Sequence, residues 1–232
     1  MAITVTPLSE ALGAAVTGVD LSQPLDRETF GEIHRAWLDN VILVFPDQHL
    51  TDGEQEDYCR NFGELELVRT GRAVGGDHPH VMMITNVKDT GTPTALEDGE
   101  MMFHSDTPGL MARNYYDYAR DPTIRPDSIN EGAPQWVHPV VRTHPETGRK
   151  ALYVNRLMTI WIEGMEPDES DEILNYLFDH IENPDFIYEH VWSVGDLMMW
   201  DNRCSVHART FFAPEKRRMM RRVTIRDPEP VV

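Results

Sequence analysis

The pattern of apolar and polar positions predicts short strands alternating with two helices in the first third of the chain. A continuous apolar run at 41–45 is typical of a buried strand. Thr51 followed by Glu54 is a capping-box pattern, which marks the first turn of a helix. The predicted elements are, in order, strands at 3–5 and 15–19, a helix from an Asp26 cap to Asn40, a strand at 41–45 and a helix from Thr51 to about Phe62.

Beyond residue 80 the pattern changes, and predicted strands outnumber helices. Residues 144–149 join two apolar runs and contain proline, threonine and glycine, which favours a hairpin turn. The predicted elements are strands at 81–86, 103–106, 136–143, 150–155, 186–192, 197–200 and 217–226, and a helix at 168–181. This pattern predicts a mainly β fold, an antiparallel sandwich or jelly roll with flanking helices, in a single domain over residues 1–232.

The charge balance narrows the range of partners. The chain has 21 lysines and arginines against 39 aspartates and glutamates, a net charge of −18. Such a surface repels phosphate backbones and anionic lipids, so we expect neither nucleic acid nor a membrane as partner. The first residues lack the basic and apolar segments of a secretory signal, and Cys59 and Cys204 fit a reducing compartment. The composition therefore predicts a cytoplasmic globular protein, but it does not distinguish an enzyme from a binder.

Two histidines and an aspartate form a candidate metal site. His104 and Asp106 are two residues apart, so on a strand their side chains share one face and Ser105 points away. His207, far downstream, is the candidate third ligand. Two imidazoles and one carboxylate on one side of Fe(II) leave the opposite positions open for substrate and oxygen. Taken singly, His104 and Asp106 also fit a solvent-facing strand, and His207 fits a core histidine hydrogen-bonded to the backbone.

Arginines on the last predicted strand form a second candidate site. Arg218 and Arg222 are four residues apart, so both lie on one face of an extended strand, about 13 Å from each other. Arg217 and Arg221 occupy the opposite face. Arginines that face a protein interior need anionic partners, and a carboxylate bound by two guanidinium N–H groups is the usual solution. Alternation leaves open which pair faces inward, and four exposed residues that offset an acidic surface remain the alternative.

In combination, these motifs resemble those of the taurine dioxygenase/2,4-D dioxygenase (TauD/TfdA) family of iron(II)- and 2-oxoglutarate-dependent oxygenases. The resemblance runs through nearly the whole chain in collinear order. The matching segments are VILVF (41–45) with DQ (47–48), RNFGEL (60–65), FHSD (103–106), HPVVRTHP (138–145), GRKALYVN (148–155), WDNR (200–203) with His207, and RRMMRR (217–222).

The resemblance implies a double-stranded β-helix core, a homo-oligomer (dimer or tetramer), and the co-substrates 2-oxoglutarate and O2 in addition to Fe(II). Carried over position by position, it implies that His104, Asp106 and His207 bind the iron and carry the catalysis. Arg218 matches the arginine that pairs with the distal carboxylate of 2-oxoglutarate. Arg222 matches the position that meets the acidic group of the substrate in taurine dioxygenase, and it is a further candidate for binding the cofactor.

Several positions around the implied substrate pocket depart from taurine dioxygenase. Val68 stands where that enzyme has a histidine against the sulfonate, and Glu100 stands where it has an asparagine lining the site. Burying a sulfonate without hydrogen-bond donors costs roughly several kcal/mol of binding free energy, which argues against taurine as the substrate. Asn86 and Thr107 complete the candidate substrate-binding set, together with Val68, Glu100 and Arg222.

A further departure lies where Leu110 runs directly into Met111. The family normally carries several dozen more residues here, including a lid and a threonine that helps to hold 2-oxoglutarate. Either the segment has been deleted, which would threaten cofactor binding, or the sequence omits a lid segment between Leu110 and Met111. We favour omission, because a core strand is difficult to lose without losing the fold.

The sequence thus predicts an Fe(II)- and 2-oxoglutarate-dependent dioxygenase that hydroxylates a small organic anion, a carboxylate or a sulfonate. If the hydroxyl group is placed beside a heteroatom, the product collapses and a C–O, C–N or C–S bond is cleaved. Two other classes remain open. One is a jelly-roll hydrolase or isomerase that uses the same ligands with another divalent metal, and the other is a catalytically inactive module that binds 2-oxoglutarate.

Overall fold

The computed structural model describes residues 2–68, 77–87, 101–105, 137–213 and 215–227. The chain divides into two compact units. The first unit comprises Met1–Gly99, His190–Met199 and Phe211–Pro230, and the second comprises Glu100–Glu189, Trp200–Thr210 and Val231–Val232. Since each unit joins segments that are far apart in sequence, neither can form from one continuous stretch of the chain. Among the described residues, every helix is too short or too polar to cross a membrane.

The described residues contain ten strands, three α-helices and one short 3-10 helix. The strands are β1 (Thr4–Pro7), β2 (Ala14–Thr17), β3 (Ile42–Phe45), β4 (Met82–Thr85), β5 (Met101–His104), β6 (Val141–Thr143), β7 (Lys150–Leu152), β8 (Leu197–Trp200), β9 (His207–Arg209) and β10 (Met219–Arg222). The helices are α1 (Arg27–Asn40), α2 (Asp52–Arg60) and α3 (Pro167–Ile181), and the 3-10 helix is Pro184–Phe186. The predicted mainly β character with flanking helices is confirmed.

A four-stranded sheet in the order β1-β2-β3-β8 organises the first unit. β1 and β2 form an antiparallel pair, whereas β2 and β3 run parallel. Parallel neighbours need a long crossover, and α1 supplies it between these two strands. The two early strands and the buried strand predicted at 41–45 are therefore confirmed, with shifts of one to two residues at their ends.

Both predicted helix caps of the first unit are present. The Asp26 carboxylate accepts a hydrogen bond from the backbone N–H of Thr29 at 2.8 Å, so α1 begins where the sequence predicts. At α2 the Thr51 hydroxyl accepts from the Glu54 N–H at 3.3 Å, and the Glu54 carboxylate accepts from the Thr51 N–H at 2.6 Å. Val41 has a φ of 67°, which ends α1 and allows β3 to begin at the next residue.

Aromatic and aliphatic side chains from the sheet and both helices form the core of the first unit. Phe45, Leu43 and Ile33 have no exposed surface. The Phe45 ring packs edge-on against Tyr58, with ring centroids 5.8 Å apart. The buried members of this core are Ala14, Val16, Leu21, Ile33, Ala36, Trp37, Leu43, Phe45, Leu50 and Tyr58.

A smaller sheet in the same unit pairs β4 with β10. Arg222 is the direct antiparallel partner of Met82, and Met219 is the partner of Thr85. The segment before β4 is attached to α2 through Glu56, whose side chain is only 3% exposed and accepts a hydrogen bond from the His80 N–H at 3.2 Å. Arg60 forms an ion pair with the same Glu56 carboxylate at 2.9 Å, so the buried charge is compensated within α2.

The second unit contains two further antiparallel pairs, β5 with β9 and β6 with β7. β6 and β7 form the predicted hairpin, and the His144 N–H closes its turn by donating to the Arg149 carbonyl at 2.8 Å. α3 packs on this unit through Leu174 and Phe178, which form a small apolar cluster with Val154. The clear periodicity of the 168–181 segment is thus explained by one buried stripe.

One predicted strand is wrong. Residues 186–192 do not form a strand, because Pro184 starts a 3-10 helix and the Asn183 side chain caps it. Three of the apolar residues that favour a strand are exposed: Val191 at 83%, and Phe186 and Trp192 at 46% each. The predicted last strand at 217–226 is shorter than expected, since β10 ends at Arg222 and only an isolated bridge joins Leu65 to Ile225.

Candidate metal centre

His104 and His207 lie side by side on paired strands of the second unit. β5 and β9 are antiparallel, and His104 is the direct partner of His207. Side chains of directly opposite residues project to the same face of a sheet. The ring centroids are 4.2 Å apart, with the ring planes inclined by 46°. The structure therefore brings together two of the three predicted ligands, although they are far apart in sequence.

The backbone around His104 determines which ring nitrogen is available. Nδ1 lies 2.8 Å from the carbonyl oxygen of Met102. Because a carbonyl oxygen only accepts, Nδ1 carries the hydrogen, and the lone pair of the neutral ring is on Nε2. The His104 side chain is buried, so this hydrogen bond faces little competition from water. A backbone acceptor on one imidazole nitrogen is the usual way in which proteins orient the other nitrogen toward a metal ion.

Trp200 supports the second imidazole. Its ring centroid lies 5.0 Å from that of His207, with the planes inclined by 50°. The indole N–H donates to the Asn202 side-chain oxygen at 3.0 Å, which fixes the orientation of the ring. The His207 ring thus contacts both the Trp200 indole and the His104 imidazole.

The predicted carboxylate ligand Asp106 lies outside the described residues, as do Thr107 and Glu100. The two described imidazoles fit a divalent transition metal, because they are adjacent and the lone pair on His104 Nε2 is free of the backbone bond. Imidazole donors suit iron, zinc, copper and nickel alike, so this pair does not by itself select the metal.

A buried polar network surrounds the turn that precedes His207. Asp201 is 3% exposed and lies in this turn, after β8. Its two carboxylate oxygens accept from Arg203, Oδ1 from Nε at 2.8 Å and Oδ2 from Nη2 at 2.7 Å. His144, which is 4% exposed, contacts Asp201 Oδ2 through Nε2 at 2.9 Å. Arg203 also pairs with Glu146 at 2.7 Å, which ties the hairpin turn to the turn before β9.

His144, Asp201 and Cys204 place three potential ligand atoms within 4.8 Å of one another. However, both Asp201 oxygens and both His144 nitrogens already have hydrogen-bond partners. Burial, reinforced by the negative charge of Asp201, raises the pKa of the Cys204 thiol to about 12, which disfavours the thiolate in the absence of a metal ion. The three residues therefore form a hydrogen-bonded structural network.

The ionisation of Asp201 is stabilised by this network. Burial alone would raise the pKa of the Asp201 carboxyl group. The hydrogen bonds and the charge of Arg203, together with the hydrogen bond from His144, outweigh burial and hold the pKa below its ordinary value. The sequence does not reveal this role, because His144 and Asp201 are 57 residues apart and no local pattern links them.

The structure distinguishes between the two arginine pairs of the first unit. Arg217 is exposed, and the Arg221 guanidinium pairs with Asp52 and donates to the Leu50 carbonyl at 2.6 Å. Arg221 therefore anchors the start of α2. Arg222, on the opposite face of β10, is half-buried and directs Nη2 toward the Met82 sulfur at 3.6 Å. Arg222 therefore lies on the face of β10 opposite to the face that contacts the start of α2.

Arg218 and Asn86 lie together at the end of the β4–β10 pair. The Asn86 side chain accepts from the Arg218 N–H at 2.8 Å and donates to the Lys216 carbonyl at 2.8 Å. The Arg218 guanidinium carbon lies 5.7 Å from the centre of the Phe212 ring, a cation–π arrangement. Asn86, predicted to bind substrate, thus binds the backbone that positions Arg218.

Val68 lies at the edge of the described part of the first unit. Its side chain is half-buried, and its N–H donates to the Pro79 carbonyl at 3.0 Å. Neither an isopropyl group nor a backbone N–H that is already bonded offers a donor to a sulfonate. This local chemistry is consistent with the predicted departure from taurine dioxygenase.

Comparison with known families identifies the class of protein. The family model described as "Taurine catabolism dioxygenase TauD, TfdA family" matches residues 4–112 and 108–224. The chain belongs to this family. The predicted family and the predicted enzyme class, a 2-oxoglutarate-dependent dioxygenase and hence an oxidoreductase, are confirmed.

Characterised relatives cover nearly the whole chain. The (S)-phenoxypropionate/alpha-ketoglutarate-dioxygenase of Sphingobium herbicidovorans is 31% identical over 270 residues, which cover 94% of this chain and 93% of the relative. The alpha-ketoglutarate-dependent 2,4-dichlorophenoxyacetate dioxygenase of Cupriavidus pinatubonensis is 26% identical and covers 98% and 99% of the two chains. The alkylsulfatase of Acinetobacter baylyi is 27% identical, and the alignment covers 94% of this chain and 83% of the relative.

Solved structures show the same fold. The structure of AAD-2 in complex with Mn(II) and N-oxalylglycine has a TM-score of 0.73 and 25% identity, and it covers 100% of this chain and 99% of the other. A taurine dioxygenase from Burkholderia xenovorans has a TM-score of 0.71 at 24% identity, and the match covers 96% of this chain and 89% of the other.

Proposed function

We propose that this protein is an Fe(II)- and 2-oxoglutarate-dependent dioxygenase that hydroxylates a small carboxylate or related organic anion, and that taurine is not its substrate. The observation that carries the proposal is the direct pairing of His104 with His207, with His104 Nε2 left available by the Met102 carbonyl. The relatives named for phenoxypropionate, 2,4-dichlorophenoxyacetate and alkyl sulfate support the substrate class.

His104, His207 and Asp106 are the proposed metal ligands, and with them the proposed catalytic residues. Neutral imidazoles and an ionised carboxylate match the ligand preference of Fe(II) in a site that keeps positions open. When bound, iron supplies the oxidising chemistry, with 2-oxoglutarate and O2 as co-substrates. The protein's own contribution is to hold two imidazoles in fixed orientation, one through Met102 and one against Trp200.

Arg218 and Arg222 are the proposed anion-binding residues. We assign the distal carboxylate of 2-oxoglutarate to Arg218, whose backbone is held by Asn86. Arg222 is the proposed partner of the substrate's acidic group and a secondary candidate for the cofactor. Guanidinium groups bind carboxylates through two N–H donors, and Arg221 cannot share the task because Asp52 and the Leu50 carbonyl hold it.

An aryloxyalkanoate is the proposed substrate. Val68 removes a side-chain donor that a sulfonate would need, and we propose that it lines the pocket together with Glu100, Asn86 and Thr107. Hydroxylation of the carbon beside the ether oxygen gives a hemiacetal or hemiketal. Its O–H proton then passes to the ether oxygen as the C–O bond breaks, which releases a phenol and a carbonyl compound. A cleavage reaction therefore needs no additional catalytic residue for bond rupture.

We further propose a double-stranded β-helix core, a homo-oligomer and a cytoplasmic location. The likeness to the AAD-2 structure supports the β-helix core.

We also propose that the chain forms a single domain and that a lid segment is missing between Leu110 and Met111. Two observations support a missing segment. The family model matches the chain in two pieces that meet at 108–112. The alignment with the Sphingobium relative spans 270 positions, which is more than the 232 residues of this chain. The intact mass tests this, because a mass near 26.6 kDa would show a deletion.

The decisive assay measures succinate formed from 2-oxoglutarate with Fe(II), oxygen and one candidate anion at a time. The panel contains both enantiomers of 2-phenoxypropionate, 2,4-dichlorophenoxyacetate, an alkyl sulfate and taurine. We expect stimulation by an aryloxyalkanoate, with release of one phenol per succinate, and none by taurine. Substrate-independent or absent turnover across the panel would contradict the proposal.

Anaerobic spectroscopy separates the two rival classes. Fe(II) and 2-oxoglutarate should together give a visible charge-transfer band in an oxygenase. A hydrolase or isomerase that uses zinc or manganese would lack this band. An inactive binding module would bind 2-oxoglutarate but form no succinate with any anion.

A further inference from the structure

We infer that Asp201 is a positioning residue for His207, and that it acts through a buried hydrogen-bond network with His144 and Arg203. This inference rests on the proposed function, because it concerns a ligand of the proposed metal centre. Neither His144 nor Asp201 is among the proposed ligands, and no substrate role is assigned to them.

The protonation state of His144 follows from its contacts. Nδ1 accepts two backbone hydrogen bonds, from the Glu146 N–H at 3.2 Å and from the Thr147 N–H at 3.1 Å. A nitrogen that accepts carries no hydrogen, so Nε2 is the N–H nitrogen and donates to Asp201 Oδ2 at 2.9 Å. His144 is therefore a neutral connector with a fixed direction, from the hairpin turn to Asp201.

Asp201 in turn organises the residues that lead to His207. Its Oδ1 accepts from the Arg203 N–H at 2.9 Å and from Arg203 Nε at 2.8 Å. Its carbonyl oxygen accepts from the Ser205 hydroxyl at 2.6 Å and from the Cys204 N–H at 3.3 Å. Both ends of Asp201 thus fix the 201–205 turn, and β9 begins with His207 two residues later.

The turn has one rigid attachment on each side. Before it, Trp200 contacts the His207 ring, and beyond it His207 pairs with His104 across β5 and β9. Further support comes from two links to the β6–β7 hairpin, His144 with Asp201 and Glu146 with Arg203. If the buried His144–Asp201 link is removed, the turn is held less firmly, and the His207 imidazole gains freedom that metal binding has to remove.

The test uses the full-length protein and Co(II) as the probe, titrated anaerobically with 2-oxoglutarate present. In Asp201→Asn the amide N–H2 faces the N–H donors of Arg203 and His144, so one side of the network is lost. We expect Co(II) affinity to fall by about 10- to 100-fold, with altered visible Co(II) bands, at a temperature where the variant is folded. Folding is checked by near-UV circular dichroism and thermal unfolding.

A matched control exists in the first unit. His190 and Asp196 form a His–Asp contact of nearly the same length, 3.0 Å, with side chains 12% and 8% exposed. Asp196→Asn should lower the unfolding temperature and leave the Co(II) affinity and spectrum unchanged. Equal Co(II) affinity in Asp201→Asn and the wild type would overturn the inference while the metal centre stands. Absence of Co(II) binding by the wild type would instead overturn the proposed function.

A second pair of variants decides the question if Asp201→Asn does not fold. Gln in place of His144 supplies an N–H donor and an oxygen acceptor, whereas Leu supplies neither. We expect His144→Gln to keep Co(II) affinity within a few-fold of the wild type and His144→Leu to lose about 10-fold or more. Equal losses in the two variants would show that hydrogen bonding at this position does not matter, and would overturn the inference.

Discussion

The interiors of the two units are stabilised in different ways. Among the described residues, the first unit buries mainly apolar surface: ten residues form its core, aromatic rings such as Phe45 and Tyr58 meet edge to face, and the Glu56 carboxylate is also buried. The described part of the second unit has a small apolar cluster around Leu174 and buries more charged and polar groups, including Asp201 and His144. We conclude that the first interior maintains the fold, whereas the second orients the residues of the proposed metal centre.

This difference has an energetic basis. Apolar packing is non-directional and tolerates small shifts, so it contributes stability without defining the angle of any one side chain. A buried carboxylate such as Asp201 has to be hydrogen-bonded in definite directions, since an unpaired buried charge is strongly destabilising. Directional contacts are what a side chain such as His207, a proposed metal ligand, requires. Activity and stability should therefore respond separately to changes in the two regions.

The largest effect is expected at His207. In His207→Ala one of two adjacent imidazoles is removed, so succinate formation should fall to the rate of the metal-free control, while the unfolding temperature changes little. His49→Ala is the control, because His49 is 65% exposed and should keep full activity. Turnover by His207→Ala that still depends on Fe(II) would remove His207 from the ligand set.

Phe45→Ala should have the opposite effect. Phe45 has no exposed surface, so truncation should lower the free energy of unfolding by about 3–5 kcal/mol. Urea denaturation measures the change, and Val5→Ala, at a position that is 39% exposed, should change it by less than about 0.5 kcal/mol. Below the transition, Phe45→Ala should retain the wild-type Co(II) affinity. A large loss of affinity there would mean that the two interiors are not independent.

The smallest effect is the pH dependence of Asp201. Its pKa in the folded protein lies below the ordinary value, because the bonds and charge of Arg203 and the His144 bond outweigh the burial that would raise it. The ionised carboxylate therefore stabilises the fold above the ordinary aspartate pKa, and this contribution is lost as the pH falls through the lowered pKa.

Urea denaturation at decreasing pH tests this dependence. The wild type should be more stable than Asp201→Asn near neutrality, and the gap between them should narrow toward acid pH. Asp201→Asn should accordingly have the flatter pH profile. A gap that stays constant over the whole pH range would mean that Asp201 does not titrate with a shifted pKa.

The elements that the sequence predicts correctly are those with local causes. The Asp26 cap and the Thr51–Glu54 capping box are both formed, because each joins residues only three positions apart. The β6–β7 hairpin follows from its turn residues. Periodicity predicted α3 because one apolar stripe is buried.

The misinterpreted features depend on contacts between distant segments. An apolar composition at 186–192 favoured a strand, but Pro184 starts a 3-10 helix and the following residues have no strand partner in the described structure. The alternation of side chains does not show which arginine pair faces inward, because that depends on the contact of Arg221 with Asp52, which is 169 residues away in the sequence. The candidate ligands His104 and His207 could be named from motifs, but their pairing required the fold.

The pairing of β5 with β9 has a consequence for the newly made chain. His104 is synthesised in the first half of the sequence, whereas His207 is carried by one of the last strands. A chain still attached to the ribosome without β9 presents single histidines that hold a metal ion only weakly. We expect the metal ion of the proposed centre to be taken up only after β9 has been synthesised and has paired with β5.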